Sequence, residues 1–177
     1  MSVEQVLRAY LHAKDENRPH LLDGVFSVDA RLEIRNRSEQ ISFPAVTVGL
    51  AAIAGVLVRR FNQTYENIYS FYLDRPATSD DAFSCDWLVV MTEKESKAVR
   101  VGFGRYDWTF RREPALRVSG LIITIEAMLI LDATVQTNAM HWVRKLDYPW
   151  TSVAAVTSSL PFVELEPVSR YVGRSSS

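Results

Sequence analysis

Apolar and polar positions alternate most persistently between Ala98 and Asp132. Two runs, Ala98–Arg112 and Leu116–Asp132, are joined at Glu113–Pro114–Ala115, and the pattern predicts a long β-hairpin. Each run has about 15 residues, well beyond an ordinary strand, so the pair is expected to curl and carry bulges. Gly102, Gly104 and Gly120 are where the chain can bend without a side chain in the way. On the second run Leu121, Ile123, Ile125, Ala127, Leu129 and Leu131 occupy one face. Ile122, Thr124, Glu126, Met128 and Ile130 occupy the other. Both faces are largely apolar, so both should be covered: one by helices, the other by a second subunit.

The remaining periodicities build around this hairpin. Val3–Arg18 predicts an amphipathic helix whose stripe is Val3, Val6, Leu7, Tyr10, Leu11 and Lys14, stopped by Pro19. Ser2 is its candidate N-cap, with the nearby glutamate out of register for a capping box. His20–Phe26 reads as a short second helix, and Asp29–Asn36 as a half-buried strand with Ala30, Leu32 and Ile34 inward. Ile41–Val48 reads as a strand with Pro44 at an edge or bulge. Leu50–Tyr65 is a helix with Leu50, Ile53, Leu57 and Phe61 on one face. Asn67–Leu73 and Ala82–Thr92 read as strands about the acidic loop Pro76–Asp81, the second with Phe83, Cys85, Trp87, Val89 and Met91 on one face. The tail predicts helices over Thr137–Leu146 and, capped by Thr151, over Ser152–Leu160, then a disordered Gly173–Ser177.

Helices first and strands of growing length after them argue for an α+β fold. The expected form is a strongly curved antiparallel sheet, with the N-terminal helices on its concave side closing a conical pocket. Residues 1–133 would form that domain and 134–177 a helical extension packed on it.

Composition narrows the function classes. Net charge is −1 over 177 residues, which offers no electrostatic footprint for nucleic acid or an anionic membrane. The single cysteine, Cys85, allows no internal disulfide, and residues 1–20 lack the apolar core of a signal peptide, so the expected setting is the cytoplasm. Three histidines at 12, 20 and 141 give no metal-ligand spacing, and phosphate-binding and dinucleotide glycine motifs are missing. Neither metal nor cofactor is therefore expected.

Three pieces of the chain resemble the nuclear transport factor 2-like superfamily in its SnoaL-like branch. They are helix one with Tyr10 followed by Val25–Phe26–Ser27–Val28–Asp29–Ala30–Arg31–Leu32–Glu33–Ile34, the segment Val46–Thr47–Val48–Gly49–Leu50–Ala51–Ala52–Ile53, and the closing hairpin with Glu126. The resemblance covers roughly residues 3–132. It implies a fold that hosts isomerases, dehydratases, cyclases, oxygenase β-subunits and non-catalytic carriers. Ketosteroid isomerases of this type place a tyrosine on helix one, as Tyr10 is here. Their general-base aspartate falls at Ile34 and their second acid near Tyr106, so the set is not reproduced. Scytalone dehydratase-like members use pocket histidines, whereas His12 lies off the apolar stripe of its helix.

The candidate chemistry rests on few residues. Glu126, a carboxylate in an apolar strand, is an acid or base candidate, or else a carboxylate paired with Arg100 or another cation. Arg105 and Asp107 share a face and either serve the pocket, as anion binder and proton-transfer acid, or form a surface salt bridge. Tyr10 is a donor to a substrate oxygen or a core tyrosine. Tyr106 and Trp108 wall the hollow beside Gly102 and Gly104 or build a dimer contact. Trp87 lines the hollow. The expected function is a homodimeric binder of a small, mostly apolar organic ligand, with or without cofactor-free isomerase, dehydratase or cyclase activity. The alternative is a non-catalytic subunit similar to a ring-hydroxylating oxygenase β-subunit.

Overall fold

The computed structural model describes residues 1–77 and 81–174. Thr78–Asp80, within the acidic loop, and Ser175–Ser177 lie outside the described residues. Helix α1 (Val3–Asp15) is opened by a complete capping box: the Ser2 hydroxyl accepts from the Gln5 amide at 3.2 Å, and the Gln5 side chain accepts from the Ser2 amide at 2.7 Å. Glutamine, overlooked in the sequence pattern, supplies the partner. Ser2→Ala is expected to cost about 1 kcal/mol, read as a lower denaturation midpoint at unchanged slope.

A 3₁₀ turn over Pro19–Gly24 leads into β1 (Phe26–Asn36). Only Val46–Val48 of the expected second strand pairs, as β2; the stretch 37–45 is irregular. The next helix is α2 (Leu50–Ala54), a π-helical segment Gly55–Arg60 and α3 (Phe61–Thr64) in one continuous run. Strands β3 (Tyr65–Tyr72), β4 (Ala82–Glu93), β5 (Val99–Arg111) and β6 (Arg117–Leu131) follow.

The six strands form one sheet in the order β2-β1-β6-β5-β4-β3. The expectation of a wholly antiparallel sheet needs correction, because β1 runs parallel to β6. Local alternation reports which face a residue takes and carries no information on strand direction. The long hairpin carries two bulges. Phe103 pairs Ala127 while Gly104 pairs Ile125, leaving Glu126 as the extra residue. Thr109 pairs Gly120 while Phe110 pairs Val118, leaving Ser119 extra. Each bulge increases twist and reverses the inside–outside phase along β6.

Between the two bulges Leu121, Ile123 and Ile125 face the concave side, and beyond Glu126 Met128 does. Ala127, Leu129 and Leu131 consequently turn to the outer face. There, over β3–β5, the covering element is the chain's own extension. Helices α4 (Gln136–Val143), α5 (Val153–Thr157) and α6 (Glu166–Gly173) set Trp142, Val143, Val156, Val168 and Val172 against Leu88, Val90, Val101 and Phe103. Ser152, not Thr151, caps α5. Gly173 closes α6, and Arg174 makes a bidentate ion pair with Asp86 at 2.9 and 3.0 Å, so the expected disorder does not begin at Gly173.

Candidate functional site

The concave face of β1, β6, β5 and β4 and the inner faces of α1 and the helical run after it enclose a small hollow of about 40 Å³. Its wall is mostly Ile34, Ile41, Leu57, Phe61, Trp87, Val89, Met91, Ile123, Ile125 and Met128, with Tyr10, Tyr106 and Lys14 as the polar exceptions. Each strand contributes through its two-residue alternation and α1 through its stripe. The π-helical segment carries Leu57 into this wall, and Phe61 follows directly after it.

Tyr10 is wholly buried among Phe26, Tyr106 and Trp108, the last at 5.0 Å between ring centres in an edge-on contact. Its hydroxyl forms no hydrogen bond of normal geometry. Burial pushes its phenol far above the usual range, with the nearby Tyr106 hydroxyl pulling it partly back. Burial raises Tyr106 likewise. Both stay neutral in any ordinary buffer. The indole N–H groups of Trp87 and Trp108 are also buried without a partner. Three orphaned polar groups on adjoining residues are unusual for a folded interior, where such groups are nearly always satisfied.

Lys14 stands at the edge of this wall with its ammonium 4.7 Å above the centre of the Phe61 ring. It donates to Ser70 Oγ at 2.7 Å and to Asp15 Oδ1 at 3.2 Å. Asp15 accepts in addition from the Ser70 amide at 2.7 Å, the Ser70 hydroxyl at 2.8 Å and the Tyr148 hydroxyl at 3.0 Å. The pair is thus held by α1, β3 and the extension at once. Its side chains are only 10% and 3% exposed. A lysine on an otherwise apolar helical stripe was the one sequence signal for it; nothing local pointed to Ser70 or Tyr148.

The structure divides the residues singled out by the sequence. Tyr10, Tyr106 and Trp87 meet at the hollow, and Trp108 packs behind Tyr10 on the same face. Glu126 does not reach it. As the bulge residue it turns to the rim and pairs with the exposed Arg37 at 2.8 Å, not with Arg100, which pairs with Glu93. Asp107 and Arg105 lie on the outer face. Asp107 accepts from Ser84 at 2.6 Å, and Arg105 sits 3.6 Å from both Asp107 and Asp86. This is the surface salt bridge among the two alternatives. Glu126→Gln is therefore expected to shift stability by no more than about 1 kcal/mol, read from urea denaturation.

His12 stacks on Tyr148 outside the hollow, and Cys85 is buried with its thiol pushed far above its usual range. Among the described residues no three His, Cys, Asp or Glu side chains converge as metal ligands, and no helix is long and apolar enough to cross a membrane.

No protein-family model matches the chain, and no curated protein matches its sequence. Solved structures do. Hexachlorocyclohexane dehydrochlorinase (LinA) Type2 superposes with a TM-score of 0.58 at 17% identity, over 73% of this chain and 86% of that one. A nuclear transport factor 2 (NTF2-like) superfamily protein from Salmonella enterica gives 0.56 at 16% identity, over 67% and 84%. This chain has the NTF2-like fold. A protein from Catenulispora acidiphila with a ketosteroid isomerase-like fold, solved in complex with trimethylamine, agrees at 0.54 and 15% identity, over 70% and 85%. Identities this low establish the NTF2-like fold and leave the reaction, if any, to the residues themselves.

Proposed function

We propose that this NTF2-like protein binds a small, mostly apolar organic molecule bearing a hydrogen-bond acceptor, and that it acts as a binding protein. The observation that carries this reading is the donor character of an otherwise apolar hollow. Tyr10 and Trp87 bring buried polar groups without partners. Lys14 has three N–H bonds, two of them taken by Ser70 and Asp15. A ligand carbonyl, carboxylate or ether oxygen would complete these groups, while the apolar wall would take the rest of the molecule.

The isomerase, dehydratase and cyclase alternatives each need a base to take a proton from carbon. The described residues lining the hollow include no carboxylate, histidine or cysteine. Lys14 is ion-paired, and the Tyr10 and Tyr106 phenols are held neutral by burial. This balance supports binding over proton transfer.

Two measurements test the reading. Native mass spectrometry of gently purified protein is expected to show a retained small molecule that is lost from the Tyr10→Phe, Trp87→Phe double variant. Proton exchange at the α-carbon of added small ketones, followed by NMR in deuterated buffer, is expected to run at the rate of buffer alone. Accelerated exchange that vanishes in the same variant would overturn the binding-only assignment.

A further inference from the structure

Outside the hollow lies a second chamber of about 190 Å³, lined by Ile41, Ser42, Phe43, Pro44, Val56, Arg60, Phe61, Thr64 and Tyr65. Ile41, Phe43 and Phe61 line both chambers. Phe43 and Phe61 stack at 6.3 Å with their planes 21° apart, so this pair is the partition between the two spaces. The inner chamber holds no more than a few waters, whereas an apolar cavity that takes up a benzene ring measures about 150 Å³. Displacing one of these rings would join the two spaces and give a ring-sized ligand room beside Tyr10 and Trp87.

Phe43 is the member outside regular secondary structure. It sits on the irregular stretch 37–45, tied down by Arg100 donating to the Gln40 carbonyl at 2.8 Å, Asn36 to the Ile41 carbonyl at 2.6 Å and the Ile34 amide to the Ala45 carbonyl at 2.9 Å. Phe43 lies between the last two ties and is only partly buried. Phe61 belongs to the helix and lies under the Lys14 ammonium.

The charges along this route have one sign. Lys14 lines the inner chamber and Arg60 the outer, and no described lining residue of either is acidic. Asp15, which balances Lys14, does not line the hollow, and its oxygens are taken up by Lys14, Ser70 and Tyr148. Arg60 is exposed. We infer that the natural ligand is an apolar monoanion, an organic acid with a ring-sized body. It enters from the Arg60 chamber past a Phe43–Phe61 gate and presents its anionic end to the free N–H of Lys14. This rests on the binding reading above and names the ligand class for the same site.

Three probes with one skeleton test it: 4-phenylbutyrate, 4-phenylbutan-1-ol and 4-phenylbutylamine, titrated by calorimetry into the whole chain. The acid is expected to bind about tenfold tighter than the alcohol, with the amine weakest, as one charge-assisted hydrogen bond would give. Lys14→Met should erase the acid-to-alcohol ratio, and Arg60→Gln should cut it about threefold and reduce its salt dependence. Phe43→Ala should speed association of the acid about fivefold or more. If Lys14→Met does not fold, the exposed Arg60→Gln and the salt dependence carry the test. Equal binding of acid and alcohol to the unaltered protein would overturn the anion assignment while leaving the pocket intact. Failure of all three to bind, in the unaltered chain and in Phe43→Ala alike, would overturn the pocket itself.

Discussion

Asp15→Ala is expected to lower the unfolding free energy by about 3–5 kcal/mol, the range for removing one partner from a buried ion pair. The Asp15 carboxylate is 3% exposed and accepts four hydrogen bonds, from Lys14, the Ser70 amide and hydroxyl, and Tyr148. Its loss strands the Lys14 ammonium against Ser70 and Phe61 alone. At about 2–4 °C per kcal/mol for a chain of this size, the melting temperature should fall by roughly 6–20 °C. A double replacement, Lys14→Met with Asp15→Leu, should recover most of the loss, because two apolar side chains of similar size leave no charge unpaired. Urea denaturation of the three variants checks this. A cost below about 1 kcal/mol for Asp15→Ala would mean that solvent reaches the pair.

Gly104→Ala comes next in size. At the bulge the β6 backbone presses against β5, and a Cβ on Gly104 would run into the carbonyl oxygen of Thr124, closer than two real atoms approach. The obstacle is backbone inside a paired strand, so relief requires undoing the bulge. A cost of about 3 kcal/mol or more is expected, at the upper end for overpacking. Gly102→Ala is the control two residues away. There the added methyl meets chiefly the flexible end of Met128, with Val89 at 3.0 Å, so the cost should be about 1 kcal/mol and the hollow slightly smaller. Equal melting temperatures for the two variants would show that the bulge does not constrain β5.

Both predictions concern features that a linear reading does not expose. Lys14 was read only as one member of the helical stripe, and the groups that hold its partner are Ser70 and Tyr148, far along the chain. Glu126 drew attention for being a carboxylate among apolar neighbours. Its position depends on which residue of β5 faces it, because the register skips one residue between Phe103 and Gly104. That skip sends Glu126 to the rim and brings Met128 inward. The parallel pairing of β1 with β6 likewise follows from a contact between residues about ninety positions apart.

The amino-acid pattern was enough to place the helical stripe of α1, the four late strands and Trp87 in the hollow wall, since local alternation records which side chains share a face, but it left Tyr106 and Trp108 open between the hollow and an outer contact until the fold turned them inward. It asked for a cover on both faces of the hairpin and assigned the outer one to a second subunit, whereas over β3–β5 the chain's own helices lie there. Only the folded chain decided that α4–α6 cover the outer face over β3–β5, that a bulge removes Glu126 from the hollow, and that Lys14 is its charged group. These are outcomes of pairing between distant segments, and a periodicity read along one strand holds no record of its partner.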